Sequence, residues 1–100
     1  MRTLAAYVIA EIEITDTEGY KPYTEAVPAS IAAYGGRFVV RGGATEVLEG
    51  DWPARRRVII EFPTMEVARA WWDSPEYEKP KAMRRAASRG RLILLEGYGA

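Results

Sequence analysis

Alternation of apolar and polar residues, breaking into a spacing of three and four and then resuming, is what most limits the folds open to this chain. From Leu4 to Ile14, Ala6, Val8, Ala10, Ile12 and Ile14 point one way and Tyr7, Ile9, Glu11 and Glu13 the other. That period of two predicts a strand with one buried face. Tyr20, Tyr23, Val27, Ile31 and Tyr34 then recur at spacings of three and four, which predicts an amphipathic helix. Asp16 is placed to cap its start and Gly35-Gly36 its end. Pro22 and Pro28 each remove a helical N–H, so a late start or a kink near Pro28 is expected.

The period of two returns at Arg37 to Arg41, where Gly42-Gly43 is expected to break or bulge the strand. Thr45 to Leu48 is expected to continue it toward a turn at Gly50-Asp51. Arg57 to Phe62 is a third strand, with Val58, Ile60 and Phe62 on one face and Arg57, Ile59 and Glu61 on the other. Thr64 then caps a second helix whose apolar side is Val67, Ala68, Trp71 and Trp72. Ser74-Pro75-Glu76 restarts a helix: a capping hydroxyl, a proline at the first helical position, and an acid beside the positive helix end. This segment is expected to run to about Arg89, with irregularity at Pro80 and a stop at Gly90. Arg91 to Glu96 is the fourth strand. The order β-α-β-β-α-β, with right-handed crossovers, gives an α+β, ferredoxin-like domain over residues 1–100. It has a four-stranded antiparallel sheet and the helices on one face.

The other face of that sheet would carry Ile9, Val39, Ile59 and either Leu92 and Leu94 or their neighbours. An apolar patch of this kind is uncommon on a soluble monomer. Burying it at about 25 cal/mol per Å² is worth several kcal/mol. A homodimer closed over the open sheet face is therefore expected, with a shared cleft between the sheets. By parity Glu11, Glu13, Arg41, Arg57, Glu61 and Glu96 join the same face, either as ion pairs that set dimer register or as the polar walls of a ligand cleft.

Composition narrows the chemistry. The chain has no Cys and no His, which removes thiolate and imidazole nucleophiles, bases and metal ligands. No metal and no cofactor are expected. Lys plus Arg equal Asp plus Glu at 14 each, so there is no basic excess of the kind a nucleic-acid partner would need. Apolar runs are too short for a membrane span or a signal peptide, and the expected location is cytoplasmic.

Four constellations could carry function. Arg41-Gly42-Gly43 puts a cation beside approachable backbone and could grip an anion, or could simply bend the strand. Asp51-Trp52-Pro53 sets Trp52 on a loop, as a lid over a ligand or an anchor on a partner subunit. Ser74-Pro75-Glu76-Tyr77 is explained by capping and packing alone, yet the Tyr77 hydroxyl and Arg84 share a helix side and could reach into the cleft. Glu61, among apolar neighbours expected to raise its pKa, is the best general-base candidate; its alternative is an Arg–Glu pair.

Tyr34-Gly35-Gly36-Arg37-Phe38-Val39-Val40-Arg41-Gly42-Gly43, Val47-Leu48-Glu49-Gly50-Asp51-Trp52, Glu61-Phe62-Pro63-Thr64 and Ala70-Trp71-Trp72-Asp73-Ser74-Pro75-Glu76-Tyr77 resemble the bacterial family catalogued as domain of unknown function 1330. The likeness runs from about Tyr7 to Gly97. It implies a dimeric α/β barrel of ferredoxin-like subunits and names no reaction. Glu78 stands where the family pattern has Gln, and Arg84 keeps its Arg. Related barrels include cofactor-free monooxygenases, lactone isomerases and haem enzymes, the last disfavoured by the missing His. Two functions follow as expectations. One is a protein, enzyme or binder, for a small anionic or aromatic metabolite, using Glu61, Arg41, Gly42, Gly43, Trp52, Ser74, Tyr77 and Arg84. The other is a non-catalytic dimeric module in which the same residues only hold the interface.

Overall fold

The computed structural model describes residues 4–99. The elements run β1 (Ala6–Ile14), α1 (Thr17–Ala33), β2 (Arg37–Arg41), β3 (Arg56–Phe62), α2 (Met65–Trp72), α3 (Pro75–Ala87) and β4 (Ser88–Glu96). All neighbouring strands pair antiparallel, in the spatial order β2-β3-β1-β4. This is the expected ferredoxin-like α+β arrangement, with the helical segment between β3 and β4 divided into α2 and α3. Thr64 caps α2 by accepting from the Val67 amide, and Ser74 caps α3 by accepting from Tyr77, with Pro75 opening that helix. Asp16 caps α1 through the Gly19 amide. At the far end of α1, Gly35 takes a φ of 70°, where a side chain would be strained.

The core lies between the sheet and the helices. Ala6, Val8, Ala10 and Ile12 of β1 and Val58, Ile60 and Phe62 of β3 face Val27, Ile31, Ala68, Trp71 and Tyr77. The alternation read from β1 and β3 therefore assigns the buried face correctly apart from Ile14, which is exposed at the end of its strand.

Several expectations need correction. α1 runs unbroken from Thr17, so it does not start late despite Pro22 and Pro28. Pro28 lacks the N–H that would bond the Thr24 carbonyl, and that carbonyl instead accepts from Arg41 Nη2 at 2.7 Å. Gly90 does not stop a helix. α3 ends at Ala87 and Gly90 lies inside β4 opposite Ile12. Thr45 to Leu48 does not extend β2; residues 43–55 form a loop without helix or strand.

The largest correction concerns β2. Its pairing steps from Phe38 opposite Ile60 to Val40 opposite Ile59, leaving Val39 as an extra, bulged residue. One extra residue flips everything after it to the other face. Val40 thus joins the open face, and Arg41, opposite buried Val58, turns to the helix side. On β4 the open-face residues are Ile93 and Leu95, while Leu92 and Leu94 pack against the core. Glu96 sits opposite Ala6 and so leaves the open face as well.

Among the described residues no helix is long and apolar enough to cross a membrane.

Candidate functional site

The two faces of the sheet treat charge differently. On the open face, register places residues in rows. Arg37, Glu61, Tyr7 and Leu95 form one row; Val40, Ile59, Ile9 and Ile93 the next; Arg57, Glu11 and Arg91 the third. Each cation of the polar rows has a carboxylate. Glu11 holds Arg57 Nη2 at 3.4 Å and Arg91 Nη2 at 3.0 Å, and Glu61 holds Arg37 Nε at 2.8 Å. At the margin, Arg55 lies 3.9 Å from Glu13. The face is thus an apolar stripe between two bands of cross-strand ion pairs, although the Arg57 Nε is shielded from water and finds no acceptor among the described residues.

Glu61 shows what this does to a carboxylate. The Arg37 guanidinium, and then the Tyr7 hydroxyl donating at 2.9 Å, hold its carboxyl below the usual carboxylate range. The expected rise does not occur, because the neighbours that matter are a cation and a donor rather than the apolar side chains beside them. A depressed carboxylate pKa adds stability above the unfolded value and loses it as pH falls through the folded value. Glu61→Gln should therefore lower the urea midpoint at pH 7, and the deficit should shrink as pH falls below the unfolded Glu value of about 4.3 and vanish once Glu61 is protonated in the folded state. A deficit that does not change with pH would show that the ionised pair contributes nothing.

The helix side is the opposite case. Between α1, α3 and the sheet lies a cavity of about 20 Å³, enough for one water or one ligand oxygen. Arg41, Arg56 and Arg84 line it, together with Tyr20, Tyr23 and Trp71. Its lining contains no carboxylate, and none of these three guanidinium groups is ion-paired among the described residues. Arg84 is only 4% exposed. Its Nε donates to the Tyr77 hydroxyl at 3.3 Å, and that hydroxyl lies 3.5 Å from the Tyr23 hydroxyl. The Nε of Arg56 is shielded from water and finds no acceptor among the described residues. Buried donors without acceptors are uncommon, and burying unpaired charge is costly, so such a group calls for an explanation.

Local structure explains the convergence. Arg84 sits two turns along α3 from Tyr77, whose ring stacks on Trp71 at 4.1 Å. Trp71 is itself pinned by its indole N–H to Ser30 at 3.1 Å. Arg56 begins β3 on the core-facing side, one pair before Val58. Gly42, at φ 67°, lies so close to the Arg56 guanidinium that a side chain there would collide with it. Arg41 lies over the Phe38 ring at 4.3 Å, at the exposed mouth of the cavity. Burial pushes the Tyr20 and Tyr23 hydroxyls up; Arg56 partly offsets this for Tyr20, while neighbouring Tyr77 adds to it for Tyr23. Both stay protonated donors.

Of the residues singled out from sequence, the structure brings Arg41 and Arg84 to the lining of this cavity, with Gly42 against the Arg56 guanidinium and Tyr77 behind Arg84, on the far side of the sheet from the cleft expected for them. Glu61 remains on the open face. Ser74 is spent on capping α3 and on the Trp71 carbonyl. Gly43 faces open space, and Trp52 lies on the loop with Arg57 over its ring at 5.4 Å. Tyr20, Tyr23 and Arg56 were missed as site residues. The available signal was an arginine at a core-facing parity position, with two tyrosines on the facing side of α1.

Comparison with known proteins agrees with this architecture. The family described as Domain of unknown function (DUF1330) matches residues 5–98. A protein of unknown function from Rhodopseudomonas palustris is similar in structure, with a TM-score of 0.78 at 20% identity over 99% of this chain and 86% of its own. SnoaB, a cofactor-independent oxygenase from Streptomyces nogalater, superposes with a TM-score of 0.65 at 12% identity, over 98% of this chain and 97% of its own. A conserved protein of unknown function from Bacteroides thetaiotaomicron gives 0.62 at 13% identity, over 95% and 99%. At these identities the likeness establishes the fold alone. Among curated proteins, none matches the sequence.

Proposed function

We propose that this chain, which belongs to the DUF1330 family, is a homodimer whose subunits each bind a small anionic, aromatic metabolite between helices and sheet, and act on it without a cofactor. The observation that carries the reading is the carboxylate-free cluster of Arg41, Arg56 and Arg84, one of them almost fully buried. A buried guanidinium without a counter-charge is costly to the fold, and an incoming anion offsets that cost. The space of about 20 Å³ admits only an oxygen of the anion, so a flat apolar body behind the charge would lie toward the mouth, beside Tyr23, Phe38 and Arg41. That a cofactor-independent oxygenase shares the fold supports an enzymatic role.

The dimer in this proposal closes over the open face. The stripe of Val40, Ile59, Ile9 and Ile93 is apolar, and Ile93 alone is 57% exposed. The flanking charges are already paired within one subunit, so a second copy can cover them without stranding a charge. The non-catalytic module is a reading that this paired face favours on its own; it leaves the unpaired arginines of the helix side unexplained.

Benzoate and its neutral isostere benzamide separate these possibilities in a thermal-shift experiment. At about ten times its Kd, a ligand stabilises by about 1.4 kcal/mol. For a domain of this size that is a Tm rise of about 6–11 °C. Benzoate should produce it, benzamide should not, and Arg84→Gln and Arg56→Gln should each abolish it. Equal shifts with both compounds, or a benzoate shift that survives both substitutions, would remove the anion-binding role.

A further inference from the structure

We infer that the helix-side cavity takes the conjugate base of a phenolic or enolic aromatic compound and stabilises that oxyanion with hydrogen-bond donors alone, without a protein base. The inference rests on the anion-binding reading above and adds the kind of anion. Its first ground is what the cavity is made of. The lining offers three guanidinium groups and the hydroxyls of Tyr20 and Tyr23, the Trp71 and Thr24 donors being spent on Ser30 and the Lys21 carbonyl, and it contains no Asp, Glu or Lys. The chain has no His and no Cys. Nothing there can accept a proton from a ligand at neutral pH, and much can donate to an oxygen that has lost one.

The second ground is that the protein's own phenols already show the contact. The Tyr77 oxygen accepts from Arg84 Nε at 3.3 Å with the Tyr23 hydroxyl beside it at 3.5 Å. Arg84 therefore already holds one phenolic oxygen at hydrogen-bond distance. Arg56 keeps its Nε, shielded from water, without an acceptor among the described residues. The space of about 20 Å³ admits one oxygen. The ring behind it would lie toward the mouth, where Arg41 is exposed and Tyr23 and Phe38 are half-buried.

The chemical step is a proton loss. The ligand O–H bond breaks, the proton passes to solvent, and the electron pair stays on oxygen facing the guanidinium groups. Release in the reverse direction returns the proton from solvent. A phenolate or enolate is electron-rich, so a site of this kind activates its ligand by ionising it.

The test uses 4-nitrophenol, whose phenolate is yellow, titrated in the presence of excess full-length protein. The midpoint of the colour change should move to lower pH by at least about one unit, which means the phenolate binds at least about tenfold tighter than the phenol. Arg84→Gln and Arg56→Gln should each cut the shift by half or more. Tyr23→Phe, which keeps the ring and removes one donor, should cut it less, and it serves if the arginine variants fail to fold by circular dichroism. If benzoate raises Tm as described above but the nitrophenol midpoint stays put or rises, the cavity is a plain carboxylate grip; this inference is then wrong and the anion-binding reading stands. If neither probe binds, both fall.

Discussion

Trp71→Ala is expected to remove a large part of this protein's stability. The indole is fully buried. It stacks on Tyr77 at 4.1 Å, meets Phe62 at 5.1 Å, and donates to Ser30 at 3.1 Å, so it joins α1, α2, α3 and β3 at one point. Truncating a buried Trp costs about 3–5 kcal/mol from the lost transfer energy and the cavity left behind. Domains of this size hold only about 5–15 kcal/mol in total. At about 4–8 °C per kcal/mol, Tm should fall by about 12–40 °C in a calorimetric scan. The adjacent Trp72 is the internal control. It is half-buried, with the Lys81 ammonium 4.1 Å above its ring, and its truncation should cost about 1.5 kcal/mol or less. If both substitutions lower Tm equally, Trp71 is not the keystone of this core.

Ile59→Asp should convert a dimer into a monomer while sparing the subunit fold. Ile59 lies at the middle of the open sheet, flanked in register by Val40 and Ile9. In an isolated subunit this face meets water, so a carboxylate there is hydrated and cheap. In the proposed dimer it would be buried without a partner, because the nearby arginines already serve Glu11 and Glu61. An uncompensated buried charge costs about 3–5 kcal/mol, which weakens association about a hundredfold to a few thousandfold. Sedimentation at micromolar concentration should show twice the 11.2 kDa chain for the wild type and the single chain for the variant. Leu48→Asp, on the loop at 90% exposure, should leave the mass unchanged. A variant Ile59→Asp that still sediments as a dimer would place the interface elsewhere, and a monomeric wild type would remove it altogether.

Much of the frame was legible because its signals are local. Asp16, Thr64 and Ser74 announce helix starts by a single side-chain oxygen within three residues of the amide it caps, and all three do so here. The alternation in β1 and β3 reports one buried face because successive side chains of a strand must point opposite ways. Local rules misled where a distant group changed the balance. Pro28 sits inside α1 because Arg41, thirteen residues on, supplies a donor for the Thr24 carbonyl it frees. Glu61 looked like a carboxylate among aliphatics, yet two neighbouring strands bring it a guanidinium and a phenol.

The candidate site was half legible. Arg41 and Arg84 were singled out along with Glu61, Gly42, Gly43, Trp52, Ser74 and Tyr77, and the structure brings those two arginines to one cavity, with Tyr77 bonded to Arg84, but on the other side of the sheet. Arg56 escaped notice because β3 begins one residue earlier than its alternation suggested. At that position it belongs to the core face, with Val58.

The order of elements, the helix caps and the greasy inner face belong to the sequence by itself, since each depends on neighbours within a turn or a strand. Which side of the sheet receives each β2 side chain belongs to the tertiary structure. A single bulged residue, Val39, reverses the parity that follows it, and only pairing with β3 shows where the extra residue sits. That reversal carries Arg41 from a face where the neighbouring arginines have carboxylate partners to a cavity where none does. Charge separation of this kind cannot be seen in a chain whose acids and bases balance, because it is made by register rather than by composition.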